Sequence, residues 1–129
     1  MIIGIGADIV EIKRIEKIWY KFGNKFEKKI LSLEEIKHLN TFSTKEKKVK
    51  YLSNRFAAKE AVSKALGKGI GLLQWRDIII VNNSFGQPQV KIKSNKIISN
   101  IQIYISISDS NFNSIAFAII TKIYDTEDK

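Results

Sequence analysis

Residues 55–71, which read RFAAKEAVSKALGKGIG, constrain the fold more than any other stretch of the chain. Alanine and leucine favour helix, proline is missing, and Gly67 stands where a left-handed residue often ends one. At about 100° per residue, Ala57, Ala58, Ala61, Val62, Ala65 and Leu66 gather on one broad face. Side chains that small admit a neighbouring backbone at close range. The other side carries Phe56, Lys59, Glu60, Ser63 and Lys64. An ordinary helix makes of Glu60 and Lys64 an i,i+4 ion pair on the surface, worth a few tenths of a kcal/mol.

A second feature with bare positions stands at the start of the chain. Residues 2–8 alternate as a strand, with Ile3, Ile5 and Ala7 on one side and Gly4, Gly6 and Asp8 on the other. The two glycines leave that second side bare, so another backbone can approach it. Asp8 is expected where strand gives way to helix, either as an N-cap or as a functional carboxylate. The glycines do not make a dinucleotide fingerprint, which requires a third glycine where Ile9 stands. From residue 9 to about residue 23, Ile12, Ile15, Ile18, Trp19 and Phe22 recur at helical spacing, and Lys13, Arg14, Lys17 and Lys21 project opposite them. That basic ridge is either a solvated face or a docking surface for an acidic helix.

A second helix is expected to begin over residues 25–31. A third is expected over 32–39, with Ser32 and Glu35 as a capping box. His38, the sole histidine, has no companion ligand and reads as a surface or packing residue. Residues 41–49 read as a loop plus the entry to the alanine-rich helix. Beyond Gly71 the period becomes two. Strands are expected over 75–81, 89–93, 101–108 and 115–123, with turns at 82–87 and 109–114. The expected fold is therefore α+β, a single domain over residues 1–129, with helices packed on one face of a mainly antiparallel sheet that ends as a meander.

Charge and cysteine content narrow the function. The net charge of +9 favours an acidic partner, although only three of 22 basic residues are arginine and lysine-rich composition also follows from coding bias. A basic nucleic-acid-binding module is the rival reading, resting on this charge with Trp19, Phe22 and Tyr104, but no nucleic-acid motif accompanies it. With no cysteine there is neither a disulfide nor a thiolate metal site. No apolar run reaches membrane-spanning length and the first residues lack a secretory pattern, so a cytoplasmic protein is expected.

Asp8, Glu60 and the polar turn after residue 106 are the candidate site. Two carboxylates from separate segments suit magnesium, which completes its shell with water and substrate phosphates. Gly67, Gly69 and Gly71 offer backbone N–H groups to a phosphate-bearing ligand, though not in a Walker pattern.

GIGADIVEI at residues 4–12 with Arg14 and Ile15, and RFAAKEA at 55–61 with KALGKGI at 64–70, resemble the holo-acyl-carrier-protein synthase family, the small single-domain class of 4′-phosphopantetheinyl transferases. The likeness covers nearly the whole chain. It implies a 4′-phosphopantetheinyl transferase-like fold, a homotrimer with active sites between subunits, and transfer of 4′-phosphopantetheine from coenzyme A to a serine of apo acyl carrier protein, releasing adenosine 3′,5′-bisphosphate, in support of fatty acid biosynthesis. By the same likeness Asp8 and Glu60 are the magnesium ligands and, with Lys64, the catalytic residues. Arg55, Lys64, Gly67, Gly69, Pro88, Ser108 and Asp109 are implied for the coenzyme, and Arg14, Lys17 and Lys21 for the carrier protein. Membrane and nucleic acid are not expected partners. Many family members read Ser-x-Ser-His where this chain has Ser106-Ile107-Ser108-Asp109. Asp109 then either meets metal-bound water or the coenzyme, or caps its turn. The base for the serine proton is left open among Glu60, Asp109 and metal-bound water.

Overall fold

The computed structural model describes residues 1–67, 73–93 and 100–123. Strand β1 (Ile2–Glu11) leads into α1 (Ile12–Phe22), α2 (Asn24–Ile30), α3 (Leu33–Leu39) and the long α4 (Lys45–Leu66). A 3-10 turn at Trp75–Asp77 precedes β2 (Ile78–Asn82), β3 (Pro88–Ile92), β4 (Ile101–Asp109) and β5 (Asn113–Lys122). The α+β expectation holds, but the expected meander gives way to two antiparallel sheets, β1–β5–β4 and β2–β3. The first strand pairs with the last along its length, from Ile2 opposite Thr121 to Glu11 opposite Asn113. A central position suits β5, whose apolar run covers both of its faces.

That pairing also corrects the start of the chain. β1 runs three residues further than expected because its ladder with β5 continues past Asp8, which lies mid-strand opposite Ala116. Asp8 is not an N-cap. The helix begins at Ile12, whose N–H donates to the Phe112 carbonyl (2.9 Å), and the side chain of Glu11 at the cap position makes no capping bond.

Helix α4 begins inside the stretch expected to hold its entry. Thr44 Oγ1 accepts from the Lys47 N–H (3.3 Å), so the lysine-rich run after Thr44 is the first turn of the helix. Lysine and glutamate are good helix formers, and an N-cap threonine suffices to start them. Gly67 ends α4 with φ +57°, as expected of a left-handed exit. The strand expected from residue 75 starts three residues later. Asp77 Oδ2 accepts from the Gln74 N–H (3.0 Å) and coils that segment into a turn, with the Trp75 ring edge-on to Phe56 (4.9 Å between centroids).

One face of the three-stranded sheet receives α4. Ala57, Ala58, Ala61 and Val62 are buried with Ala116, Ala118 and Ile120 of β5, and Ile15 of α1 joins the same core. A side-chain carbon at Gly4 would collide with the Ala65 carbonyl oxygen, and one at Gly6 with the Ala61 carbonyl oxygen. The two bare positions are therefore where helix backbone meets strand backbone. The other face of the sheet is open: Ile3, Ile5 and Ile9 of β1, Tyr104 of β4, and Ile115 and Phe117 of β5 are all exposed.

Candidate active site

The glycine contacts bring α4 against β1 and set the next residue on the same side of the strand, Asp8, beside the charged side of the helix. Lys64 Nζ lies 3.1 Å from Asp8 Oδ1 and donates as well to the Ala7 carbonyl (3.1 Å). Lys64 thus crosses to the strand instead of pairing along the helix with Glu60. Glu60 occupies the preceding turn. Its carboxyl is pushed above its ordinary value first by burial and then by the Asp8 charge, against the opposing pull of Lys64 and Arg14. A rise with that second cause places the two carboxylates in each other's field.

These residues fit a divalent cation. Among the described residues no cluster of three or more histidine, cysteine or acidic side chains forms. Two carboxylates that repel each other, in a site where the protein supplies few further ligands, match the habit of magnesium more closely than the oxygen-rich cage of calcium or the nitrogen and sulfur set of zinc. A cation between Asp8 and Glu60 would relieve the repulsion that raises Glu60.

The remaining candidates divide. Arg14 and Lys17 line an open groove of about 660 Å³ with Ile9, Glu11, Lys13 and Asn113, and the Arg14 charge opposes the rise at Glu60. Lys21 is further along α1, with its ammonium 5.4 Å from the Phe22 ring centroid. Gly67 sits one turn beyond Ser63, whose carbonyl accepts its N–H. Gly69 and Gly71 lie outside the described residues. Pro88 opens β3 opposite Asn82, half-buried. Ser108 alternates with inward-facing Ile107 and is exposed on the open side of the sheet.

Asp109 is held elsewhere on α4, by Lys50 (3.3 Å) and by the Asn54 amide (3.0 Å), and Asn54 in turn accepts from Ser114 Oγ (2.6 Å). Asn54 precedes Glu60 by six residues, about 9 Å along the helix axis. Within the chain Asp109 is therefore apart from Asp8 and Glu60. Arg55 is buried, its guanidinium carbon 4.7 Å over the Tyr51 ring and its Nε 3.9 Å from Glu35. Burial pushes the Tyr51 hydroxyl up to about 12 despite that guanidinium.

Lys59, expected on the charged side of α4, is 0 % exposed and reaches Glu35, which is 1 % exposed, at 2.6 Å. Sequence reasoning missed this pair because it gave α4 a single packing partner. Burial lowers the proton affinity of Lys59, and Glu35 offsets part of that loss. A signal was present: Glu35 already stood at a capping-box position, where a second partner was not sought.

Comparison with known proteins agrees with this arrangement. The profile of the 4′-phosphopantetheinyl transferase superfamily matches residues 4–120. A holo-[acyl-carrier-protein] synthase of Ehrlichia ruminantium (strain Welgevonden) is 46% identical over 123 residues, covering 95% of this chain and 98% of the relative. The crystal structure of holo-[acyl-carrier-protein] synthase from Neisseria meningitidis superposes with a TM-score of 0.83 at 37% identity, covering 95% of this chain and 100% of that one. A holo-(acyl-carrier-protein) synthase from Bacillus anthracis str. Ames, solved in complex with CoA (3′,5′-ADP), gives 0.80 at 33% identity, covering 96% and 99%. With its two matching motifs, its strand–helix carboxylate pair and a profile match over nearly its whole length, the chain belongs to the 4′-phosphopantetheinyl transferase superfamily.

Proposed function

We propose that this protein is a cytoplasmic holo-acyl-carrier-protein synthase, which moves 4′-phosphopantetheine from coenzyme A to a serine of apo acyl carrier protein in a magnesium-dependent reaction that serves fatty acid biosynthesis. The observation that carries the proposal is the Lys64–Asp8 contact across the glycine-bared junction of β1 and α4, one helical turn from Glu60.

Transfer forms a bond between the serine oxygen and the phosphorus nearest pantetheine. The bond from that phosphorus to the bridging oxygen breaks, and adenosine 3′,5′-bisphosphate departs. Asp8 and Glu60 would hold magnesium, which when bound supplies positive charge to the pyrophosphate. Lys64 adds a flexible cation for the phosphates and is already pinned near its working place by Asp8 and the Ala7 carbonyl. The serine proton passes to Glu60, to Asp109 or to water. Glu60 is the better placed of the two carboxyls within a protomer, since Asp109 is engaged by Lys50 and Asn54. Arg14 and Lys17 in the groove, with Lys21 beyond, receive the acidic carrier protein and speed its approach.

The reading includes a homotrimer in which the open apolar face of the sheet is covered by neighbouring copies. Ser108, on that face, and Asp109 and Arg55, held away from Glu60 in their own protomer, would meet a coenzyme bound across the subunit boundary. Pro88 and Gly67 would complete the pocket.

Mass spectrometry tests the proposal. Apo carrier protein incubated with this protein, magnesium and coenzyme A should gain the mass of one phosphopantetheine, and chelation of the metal should stop the gain. Asp8→Ala and Glu60→Ala should each lower the rate by at least about a hundredfold, as loss of a group that stabilises transition-state charge does, with the circular dichroism unchanged. Carrier protein left unmodified by the wild type under these conditions would refute the assignment.

A further inference from the structure

Next to Glu60 in sequence, Lys59 points to another side of α4 and is wholly enclosed. Its ammonium donates to Glu35 Oε1 (2.6 Å) and to the carbonyl of Ile30, the last residue of α2 (2.6 Å). Glu35 Oε1 also accepts from the Ser32 N–H (2.9 Å), and Oε2 accepts from the Ile80 N–H of β2 (3.3 Å). One ammonium and one carboxylate thus tie together the end of α2, the start of α3, the middle of α4 and a strand of the second sheet. Arg55 Nε stands 3.9 Å from the same carboxylate without a hydrogen-bond partner of its own.

A buried ion pair is a weak device for stability alone, because apolar residues of similar volume often serve that end as well or better. What an ammonium adds is direction: its bonds fix where one side chain ends. On the sheet side, α4 presents alanines to glycines, a contact that sets distance but offers few projections against rotation. Successive residues stand about 100° apart around a helix, so fixing Lys59 fixes the bearing of Glu60. A carboxylate about 6 Å from the axis moves by about 2 Å when the helix turns through about 20°, whereas metal–oxygen distances tolerate about 0.2 Å.

We infer that the Glu35–Lys59 pair sets the rotation of α4 and, through it, the spacing of Glu60 from Asp8, which makes Lys59 a positioning residue for the divalent-cation site. The inference rests on the metal-dependent reading above. It is tested by Mn2+ binding, followed by electron paramagnetic resonance without coenzyme, on wild type, Lys59→Met, Lys59→Arg and Glu35→Gln. Leu39→Ala, one turn after Glu35 on α3, serves as a core truncation that lowers Tm while both side chains of the pair are kept. Lys59→Met should weaken Mn2+ at least about tenfold, the usual effect of losing support behind a metal ligand, while Leu39→Ala stays within about twofold of wild type. Lys59→Arg, which keeps a charged donor, should recover part of the loss, and saturating metal should restore more of kcat than of the apparent metal affinity. If Lys59→Met does not fold, Glu35→Gln carries the same expectation with its shape retained. Wild-type protein that binds no Mn2+ overturns both readings. A competent wild type with unchanged affinity in Lys59→Met or, where that variant does not fold, in Glu35→Gln overturns the positioning role alone.

Discussion

Two ionic clusters lie one residue apart on α4 and differ in almost every respect. Around Lys59 the charges are closed in, and both carboxylate oxygens of Glu35 accept hydrogen bonds from protein donors. Around Glu60 the lysine is half exposed, with 54 % of its side chain accessible, and the proton affinity of the carboxyl is raised by burial and by another acid. In the first cluster the ion pair finds its partners within the chain, with Arg55 Nε left over beside it. The second is short of positive charge at its centre, and that shortage is what a ligand can fill. Adjacent residues on one helix thus separate holding from acting.

Breaking the closed cluster should have the largest effect. Glu35→Ala leaves Lys59 and Arg55 buried without their carboxylate, a change that costs about 3–5 kcal/mol. Urea unfolding should show the midpoint falling by that measure, and a loss below about 1 kcal/mol would show that the cluster is not the closed one described.

The open cluster should respond in function and scarcely in stability. Lys64→Met removes an exposed pair worth at most about 1 kcal/mol in folding. It should nonetheless raise KM for coenzyme A by about tenfold or more, the scale of one charge-assisted hydrogen bond. An unchanged KM would detach Lys64 from the phosphates.

The smallest effect is a gain. The carboxyl of Glu60 is held above its ordinary value of 4.5, so its ionised form is disfavoured in the fold relative to the unfolded chain. The cost is fully present at pH above the raised value, is relieved as pH falls from there toward 4.5, and is absent below it. In chelator, Glu60→Gln should therefore melt a few degrees above wild type at neutral pH, with the difference closing in acid. Thermal scans across pH check this, and a gap that widens in acid would reverse the sign assigned here.

The local grammar of the chain was legible in its sequence. Ser32 and Glu35 form the capping box that their spacing announces, Gly67 ends α4, and Gly4 and Gly6 mark a close approach. Asp8 and Glu60 were legible as a candidate pair from their chemistry, and the resemblance strengthened it, but how β1 reaches α4 across the chain was not. What escaped was long-range. Residues 9–11 carry no sign that β5, a hundred residues later, would keep them in a strand. Lys59 looks like any charge on a helix until α2, α3 and β2 close over it, and periodicity counts faces without knowing how many are covered. Asp109 reads as the start of a turn, yet β4 carries on through it opposite Ser114, and nothing local announces its partners on α4.

The contact of Gly4 and Gly6 with the carbonyls of Ala65 and Ala61 bears on how such a chain can vary. Nearly every other position in the core accepts some exchange of volume between neighbours. At these two the opposing atoms are main chain, so no substitution elsewhere can make room. Each is a site with a one-letter alphabet. Mutational drift is shut out there as firmly as by a reacting group, although neither glycine has any group that could react.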